Sequence, residues 1–196
     1  MEAVQHIKAL KGHVFLVTGA DGMLGRAFVR ALSELGSTVT VHALSRGELD
    51  VTDPKAVSDC TRFQPQTIIH CAAMTDADLC EQVPEITRTV QVGGTRNIGS
   101  LAREVGATVF YPQSVLIFDG RELPFTEKTQ PAPGSVYAET KLEAEQYLLS
   151  SVHDTLSVRM AGFFGGDEKD KNFVGKFLRE LETLVRRGQR EIEVGD

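Results

Sequence analysis

A tyrosine and a lysine four positions apart are the residues whose types and spacing point most directly to chemistry. Tyr137 and Lys141 are the ends of the segment Tyr-Ala-Glu-Thr-Lys, and residues four apart on a helix share one face. A neighbouring ammonium stabilises a phenolate. Such a tyrosine can give a proton to a carbonyl oxygen while hydride reaches the carbon. An exposed helix pair is the alternative interpretation.

A serine upstream supplies a third group for the same reaction. Ser114 follows an apolar run that we predict as a strand over 107–111. The carboxyl ends of parallel strands are where open α/β sheets bind ligands, and a hydroxyl there can donate to the carbonyl oxygen. The pattern predicts a catalytic set of Ser114, Tyr137 and Lys141.

Three glycines form a candidate phosphate-binding loop between a predicted strand at 13–18 and a predicted helix at 23–35. Glycines in this place permit a tight turn and close backbone approach to a pyrophosphate, and the helix N-terminus offers free N–H groups. A plain strand-to-helix turn is the alternative. The dinucleotide contacts predicted in this loop are Gly19, Gly22, Met23, Leu24 and Gly25.

The end of the second predicted strand bears on the choice between NAD and NADP. NAD-selective sites usually have an acidic residue there, whereas this sequence reads His-Ala-Leu-Ser-Arg over 42–46. Arg46 can bind a 2′-phosphate through charge-assisted hydrogen bonds, so we expect NADP(H) rather than NAD(H). Arg46 is otherwise an exposed loop charge, and Asp50 is either an adenine contact or a local turn residue.

Short apolar runs alternate with helical patterns along the chain. This alternation predicts an α/β fold with a doubly wound parallel sheet of the Rossmann, NAD(P)-binding type. Strands are predicted at 13–18, 38–44, 67–70, 107–111, 155–160 and 191–194, and helices at 23–35, 54–63, 85–105, 135–150 and 172–188. The proline-containing stretch 120–134 is predicted as a surface loop.

Composition excludes several classes of protein. The 196 residues carry a net charge of −6 without a basic stripe, which argues against a nucleic-acid partner, and no run of 18 apolar residues predicts a membrane span. Three cysteines without paired spacing indicate reduced thiols in the cytoplasm. We expect no metal site, since Cys-x-x-Cys and paired-histidine patterns are absent from the sequence.

Six segments, covering nearly the whole chain, carry a family resemblance: TGADGMLG (18–25), LDVTD (49–53), HCAAMTDADLCE (70–81), PQSVLIFDG (112–120), SVYAETKLEAE (135–145) and SVRMAGFFG (157–165). In this order they resemble the extended short-chain dehydrogenases/reductases and, among them, the dTDP-4-dehydrorhamnose reductase family. The resemblance implies hydride transfer from NAD(P)H to a 4-keto sugar on a nucleotide. It implies the triad above and cofactor contacts from the glycine loop, Arg46, Asp50, Val51, Cys71, Ala72, Ala73, Tyr137 and Lys141.

The sequence departs from this family at three places. Gln91 stands where the family often has asparagine, and Val115-Leu116 stand where the family has an acid and an aromatic residue. Dehydratases of the group carry an Asp-Glu pair at Val115-Leu116, so a dehydratase or epimerase is less well supported. The chain also ends at Asp196, where the family continues. We therefore expect one NAD(P)-binding domain over 1–196, with the C-terminal substrate lobe largely absent.

Two functions remain open on the sequence. One is a reductase of a nucleotide-sugar substrate. The other is a dinucleotide-binding regulatory subunit similar to that of methionine adenosyltransferase. A homodimer is open as well. His70 we interpret as a satisfied core residue and Cys71 as a small packing residue near the cofactor.

Overall fold

The computed structural model describes residues 10–121, 123–162, 165 and 173–188. The chain divides into two compact units, with the boundary between Ala161 and Gly162. The first unit contains a parallel sheet with its helices, and in the second the structure describes one helix, α7 (Phe173–Arg186). The sixth strand predicted at 191–194 lies outside the described residues.

Five strands form the parallel sheet of the first unit, in the order β2-β1-β3-β4-β5. They are β1 (His13–Thr18), β2 (Val39–Leu44), β3 (Thr67–His70), β4 (Thr108–Ser114) and β5 (Thr155–Met160). All four pairings are parallel. The strand order reverses between β1 and β3, which is where open sheets of this kind bind dinucleotides. The predicted doubly wound fold is confirmed.

The helices of the first unit connect these strands in the predicted alternation. They are α1 (Met23–Ser33), α2 (Pro54–Ser58), α3 (Ala77–Gln82), α4 (Pro84–Arg88), α5 (Thr95–Val105) and α6 (Val136–Ser151). Asp53 caps α2 as expected, because its carboxylate accepts from the N–H groups of Lys55 and Ala56. Beyond Ser58 that helix tightens to 3₁₀ geometry over Asp59–Phe63.

The long helix predicted over 85–105 is interrupted in the structure. A π-helical segment, Thr89–Gly94, separates α4 from α5. Gly94 packs so closely on the core that a Cβ there would lie 2.7 Å from Cγ2 of Val51. The wider turn shifts the helix register at the point where it crosses the end of β3, and such segments often occur at functional sites.

The core lies on both faces of the sheet because neighbouring strand residues point to opposite sides. In β1, Leu16 joins the cluster formed with Ile98 of α5 and Leu148 of α6. Phe15 and Val17 join the other cluster, against Phe28 and Leu32 of α1. Helices on both faces hold the strand ends in a fixed plane, so side chains at the carboxyl ends have a rigid base.

Three absences hold for the part of the chain that the structure describes. No helix there is long and apolar enough to cross a membrane. The same residues contain no group of three or more His, Cys, Asp or Glu side chains that could hold a metal ion. The thiols of Cys60, Cys71 and Cys80 are free.

Candidate active site

The N-terminus of α6 is fixed by two side chains. The hydroxyl of Ser135 accepts a hydrogen bond from the N–H of Ala138 at 3.2 Å, and Oε1 of Glu81 accepts one from the N–H of Val136 at 2.6 Å. Caps of this kind satisfy backbone groups that would otherwise lack a partner. They hold the first turn of α6, which carries Tyr137, against α3.

Ser114 and Tyr137 meet where β4 ends. Burial raises the pKa of Tyr137, and a side-chain hydrogen bond with Ser114 partly opposes that rise. The Ser114 oxygen accepts from the N–H of Leu116 at 3.1 Å. That bond uses a lone pair, so the hydroxyl proton can still be donated. With its raised pKa, Tyr137 holds its proton at neutral pH.

Lys141 lies one turn beyond Tyr137 and is only 4% exposed. Its Nζ donates to the carbonyl of Pro112 at 2.6 Å and lies 3.8 Å from the ring centroid of Tyr111. A carbonyl and the face of an aromatic ring both attract an ammonium. Burial nevertheless lowers the pKa of Lys141 to about 7. The structure thus places all three predicted catalytic residues in one region.

Gln113 is a site residue that our sequence reasoning missed. Its side-chain nitrogen donates to the carbonyl of Lys141 at 3.0 Å, and its side-chain oxygen accepts from the N–H of Ser114 at 2.8 Å. The residue is 2% exposed, so both bonds form away from water. Gln113 therefore fixes the backbone of Ser114 relative to that of Lys141. The sequence predicts that the fourth strand ends at Tyr111, whereas β4 continues to Ser114 and so contains Gln113.

A second missed element is the buried carboxylate of Glu145. It pairs with Arg159 of β5, with Nη2 to Oε2 at 3.2 Å, and accepts from the hydroxyl of Ser157 at 2.6 Å. The Glu145 side chain is 3% exposed. Because Glu145 lies on α6 one turn after Lys141, the pair attaches α6 to β5.

The glycine loop packs tightly against its own backbone and against the segment that follows β3. Gly19 has a φ of +63°, and a Cβ there would lie 2.7 Å from the backbone nitrogen of Ala72. A Cβ on Gly25 would lie 2.2 Å from the carbonyl oxygen of Gly19. No side chain caps the start of α1, where Gly22 is the N-cap. The loop and the α1 N-terminus, with Met23 and Leu24, form an N–H-lined turn suited to phosphate.

The segment after β3 lies directly against this loop. The N–H of Cys71 donates to the carbonyl of Thr18 at 3.2 Å, and the N–H of Ala72 donates to Oγ1 of Thr18 at 3.2 Å. Burial raises the pKa of the Cys71 thiol to about 12, which agrees with a packing role. The structure therefore places Cys71 and Ala72 beside the glycines, with Ala73 next along the chain.

The turn after β2 contains a carboxylate that our sequence reasoning overlooked. Oε2 of Glu48 accepts from the N–H of Ser45 at 2.9 Å and from its hydroxyl at 2.6 Å. An acid therefore lies at the end of β2 although none occurs over 42–46. The side chain of Arg46 is exposed in the same turn.

Asp50 and Val51 have local structural roles. Oδ1 of Asp50 accepts from the N–H of Thr52 at 2.9 Å and from its hydroxyl at 2.7 Å, which is the turn role that the sequence left open. Val51 is buried, and its carbonyl accepts from the side chain of Asn97 at 2.9 Å. Adenine contacts from these two residues stay predictions.

Gln91, the residue that replaces the family's asparagine, lies in the π-helical segment and is 2% exposed. Its side-chain nitrogen donates to the carbonyl of Met74 at 3.0 Å. The longer side chain of Gln91 thus makes a hydrogen bond to the backbone of the segment that follows β3.

The interpretation of His70 as a satisfied core residue also agrees with the structure, because the residue is 2% exposed and both of its ring nitrogens are paired.

The lowered pKa of Lys141 predicts a pH dependence of stability. The native chain releases this proton near pH 7, and the unfolded chain holds it until about pH 10.5. Between those values the unfolded state binds more protons, so rising pH favours the native state by at most about 1.4 kcal/mol per unit. We expect the unfolding free energy of the parent, minus that of Lys141→Met, to rise from about pH 7 to about pH 9.

Chemical denaturation at several pH values measures this difference, and the subtraction cancels the titration of other groups. Lys55→Met is the matched control, because the Lys55 side chain is 87% exposed and its removal should leave the pH profile unchanged. A difference between the parent and Lys141→Met that stays constant over this range would contradict the prediction.

Known proteins match this chain over nearly all of its length. The family described as RmlD substrate binding domain matches residues 13–190. The dTDP-4-dehydrorhamnose reductase of Streptomyces griseus is 37% identical over 168 residues, covering 84% of this chain and 54% of that protein. Methionine adenosyltransferase 2 subunit beta of Xenopus tropicalis is 34% identical over 175 residues, covering 86% and 52%.

A solved structure matches the fold as well. The dTDP-4-dehydrorhamnose reductase of Bacillus anthracis in complex with NADP has a TM-score of 0.80 at 26% identity, covering 88% of this chain and 60% of that one. This chain spans about half the length of the two sequence relatives above. With residues 13–190 matched, the chain belongs to the RmlD substrate binding domain family.

Proposed function

We propose that this chain is the dinucleotide-binding and catalytic part of an NAD(P)H-dependent reductase that acts on a nucleotide-linked 4-keto sugar. The observation that carries the proposal is the hydrogen bond between Tyr137 and Ser114 at the carboxyl end of β4, with Nζ of Lys141 held nearby on the carbonyl of Pro112. The 37% identity to the dTDP-4-dehydrorhamnose reductase of Streptomyces griseus supports the substrate class.

The residues divide the reaction between them. Ser114 donates a hydrogen bond to the substrate carbonyl oxygen and orients it. Tyr137, which its raised pKa keeps protonated, gives its proton to that oxygen as the C=O bond becomes C–OH. Lys141 stabilises the tyrosinate that remains. The dinucleotide, when bound, would supply the hydride to the carbonyl carbon and would itself become oxidised.

The residues at the carboxyl edge of β1 and β3 fit a dinucleotide. Gly19 and Gly25 allow the loop to pack tightly between β1 and α1, where a Cβ would clash with backbone atoms, and the uncapped start of α1 favours an anion. We propose NADP(H) as the preferred form, because the exposed guanidinium of Arg46 follows β2. The NADP bound to the Bacillus anthracis reductase supports this choice. The free thiols of this chain fit a cytoplasmic location.

Arg46→Ala should weaken NADPH binding by about 10- to 100-fold, since a charge-assisted hydrogen bond contributes roughly 1.5–3 kcal/mol. NADH binding should stay the same, because NADH has no 2′-phosphate. Calorimetric titration with both dinucleotides measures the ratio. Arg30→Ala, at the opposite end of α1, is the control. Glu48→Gln should favour NADPH by removing a carboxylate from the same turn. If Arg46→Ala leaves the ratio of NADPH affinity to NADH affinity unchanged, Arg46 does not bind the 2′-phosphate.

The function itself is tested by titrating the 196-residue chain with NADPH and NADH and then following NADPH oxidation with dTDP-4-dehydrorhamnose. Binding with turnover is the expected result. Binding without turnover would mean either that the substrate site needs residues beyond this chain or that the second candidate below is correct, and association with a catalytic methionine adenosyltransferase subunit separates the two. An absence of binding would overturn the dinucleotide site and with it the reductase.

The second candidate is a dinucleotide-binding regulatory subunit. Its support is the 34% identity to methionine adenosyltransferase 2 subunit beta. In addition, Leu116 is 55% exposed beside Ser114, where reductases of this family have a polar aromatic residue. A chain that binds NADPH without turnover, and that associates with a catalytic methionine adenosyltransferase subunit in sedimentation experiments, would establish this alternative.

A further inference from the structure

A chain of buried hydrogen bonds lies beneath the glycine loop. The N–H of Ala72 donates to Oγ1 of Thr18 at 3.2 Å, and that oxygen lies 2.8 Å from Nδ1 of His70. Nε2 of His70 lies 3.1 Å from Oγ1 of Thr95, which donates to the carbonyl of Gln91 at 2.5 Å. The three side chains are 0%, 2% and 1% exposed, so water does not compete for these bonds.

The direction of every bond in this chain follows from counting protons. Thr95 has one hydroxyl proton and donates it to Gln91, so Thr95 must accept from Nε2–H of His70. Burial, with the charge of Lys141 as a smaller cause, lowers the pKa of His70 to about 3, which keeps the ring neutral. Its Nδ1 therefore carries no proton and accepts from the hydroxyl of Thr18. Each proton in the chain has one acceptor.

The two ends of the chain lie against different backbone segments, the glycine loop and the π-helical segment. Thr18 immediately precedes Gly19, and the backbone of Ala72 lies so close to Gly19 that a Cβ there would be 2.7 Å from its nitrogen. Thr95 begins α5, directly after the π-helical segment. A change in the His70 ring would therefore alter the spacing between the loop and that segment.

We propose that His70 is a positioning residue of the dinucleotide site, which in its Nε2–H tautomer holds the glycine loop, the Cys71–Ala72 backbone and the π-helical segment in register. The inference rests on the proposed function, since it concerns affinity for NADPH. The proposal predicts that Thr95 affects NADPH affinity, although the His70 ring separates Thr95 from the glycine loop.

Thr95→Val tests this coupling without touching the glycine loop. Valine has the shape of threonine, so the substitution removes the acceptor of Nε2–H with little change in volume. We expect NADPH affinity to fall by about tenfold, because an unpaired buried donor favours displacement of the ring. Thr95→Ser, which keeps the hydroxyl, should restore binding to within about twofold of the parent.

Thr87→Val is the matched control. Thr87 is a fully buried threonine whose hydroxyl donates to the carbonyl of Val83 at 3.0 Å, outside the chain of bonds. The Thr87→Val substitution should lower the melting temperature about as much as Thr95→Val does, but it should leave NADPH affinity unchanged. Equal affinities for the parent and Thr95→Val would overturn the proposal, as would an equal loss in Thr87→Val.

Nitrogen-15 NMR of the histidine ring provides a readout that needs no ligand. We expect His70 to show one protonated nitrogen, Nε2, between about pH 5 and pH 9, well above its pKa. The Nδ1–H tautomer, or a doubly protonated ring in this range, would overturn the proposal. A parent chain that shows the expected tautomer but binds neither NADPH nor NADH would overturn the proposed function, and with it the role in affinity. If the parent binds NADPH and Thr95→Val binds it equally well, the role of His70 is wrong and the proposed function is unaffected.

Discussion

Tyr137→Phe is expected to lower the turnover of a nucleotide-linked 4-keto sugar by about 10²- to 10⁴-fold, the usual contribution of a positioned general acid. Phenylalanine keeps the ring that packs near Ser114 and removes only the proton donor. NADPH affinity should therefore change little. Steady-state NADPH oxidation gives the rate, and calorimetric titration gives the affinity.

Tyr147→Phe is the control for this substitution. Tyr147 lies on the same helix, but its hydroxyl accepts from Arg103 of α5 at 2.9 Å, so turnover should be unchanged. Turnover by Tyr137→Phe at the parent's rate would remove Tyr137 from the role of proton donor. The reductase proposal would then need another acid.

Arg159→Met is expected to destabilise the fold by about 3 to 5 kcal/mol, because it removes the cationic partner of the buried Glu145 carboxylate and leaves it only the hydroxyl of Ser157. The Glu145 side chain is 3% exposed and that of Arg159 is 28% exposed, so water can compensate only slightly. Denaturant titration of parent and variant measures the difference. The double variant Arg159→Met/Glu145→Leu should recover most of it, since a well-packed apolar pair can replace a buried ion pair.

An exposed ion pair on the first unit provides the comparison. Arg96 and Glu143 lie 3.3 Å apart with side chains 57% and 37% exposed. Arg96→Met should therefore change stability by less than about 1 kcal/mol. Equal losses in Arg159→Met and Arg96→Met would mean that burial of Glu145 does not determine the energy of its pair. A double variant no more stable than Arg159→Met would mean the same.

Most of the fold could be predicted because its signals are local. Apolar runs of strand length, an Asp-Pro helix start at 53–54 and glycines at 19, 22 and 25 each depend on a few neighbouring residues. The break in the helix predicted at 85–105 could not be found this way. A π turn depends on the packing of Gly94 against Val51, which are far apart in the sequence.

The candidate site divides in the same manner. The Tyr137–Lys141 spacing and the place of Ser114 near a strand end are sequence features, and the structure pairs Tyr137 with Ser114 and holds Lys141 on the carbonyl of Pro112. The bonds of Gln113 to Ser114 and Lys141 were not predictable. They depend on how far α6 is rotated and shifted along β4.

The sequence alone determined which groups can perform chemistry, because side-chain type and helical or strand periodicity are properties of short segments. The tertiary structure decided which polar groups become partners across elements: Gln113 with Lys141, Glu145 with Arg159, and His70 with Thr18 and Thr95. Those partners are set by packing, which fixes the distance between elements to a few tenths of an ångström. In a buried site, that distance decides whether a polar group is satisfied or destabilising.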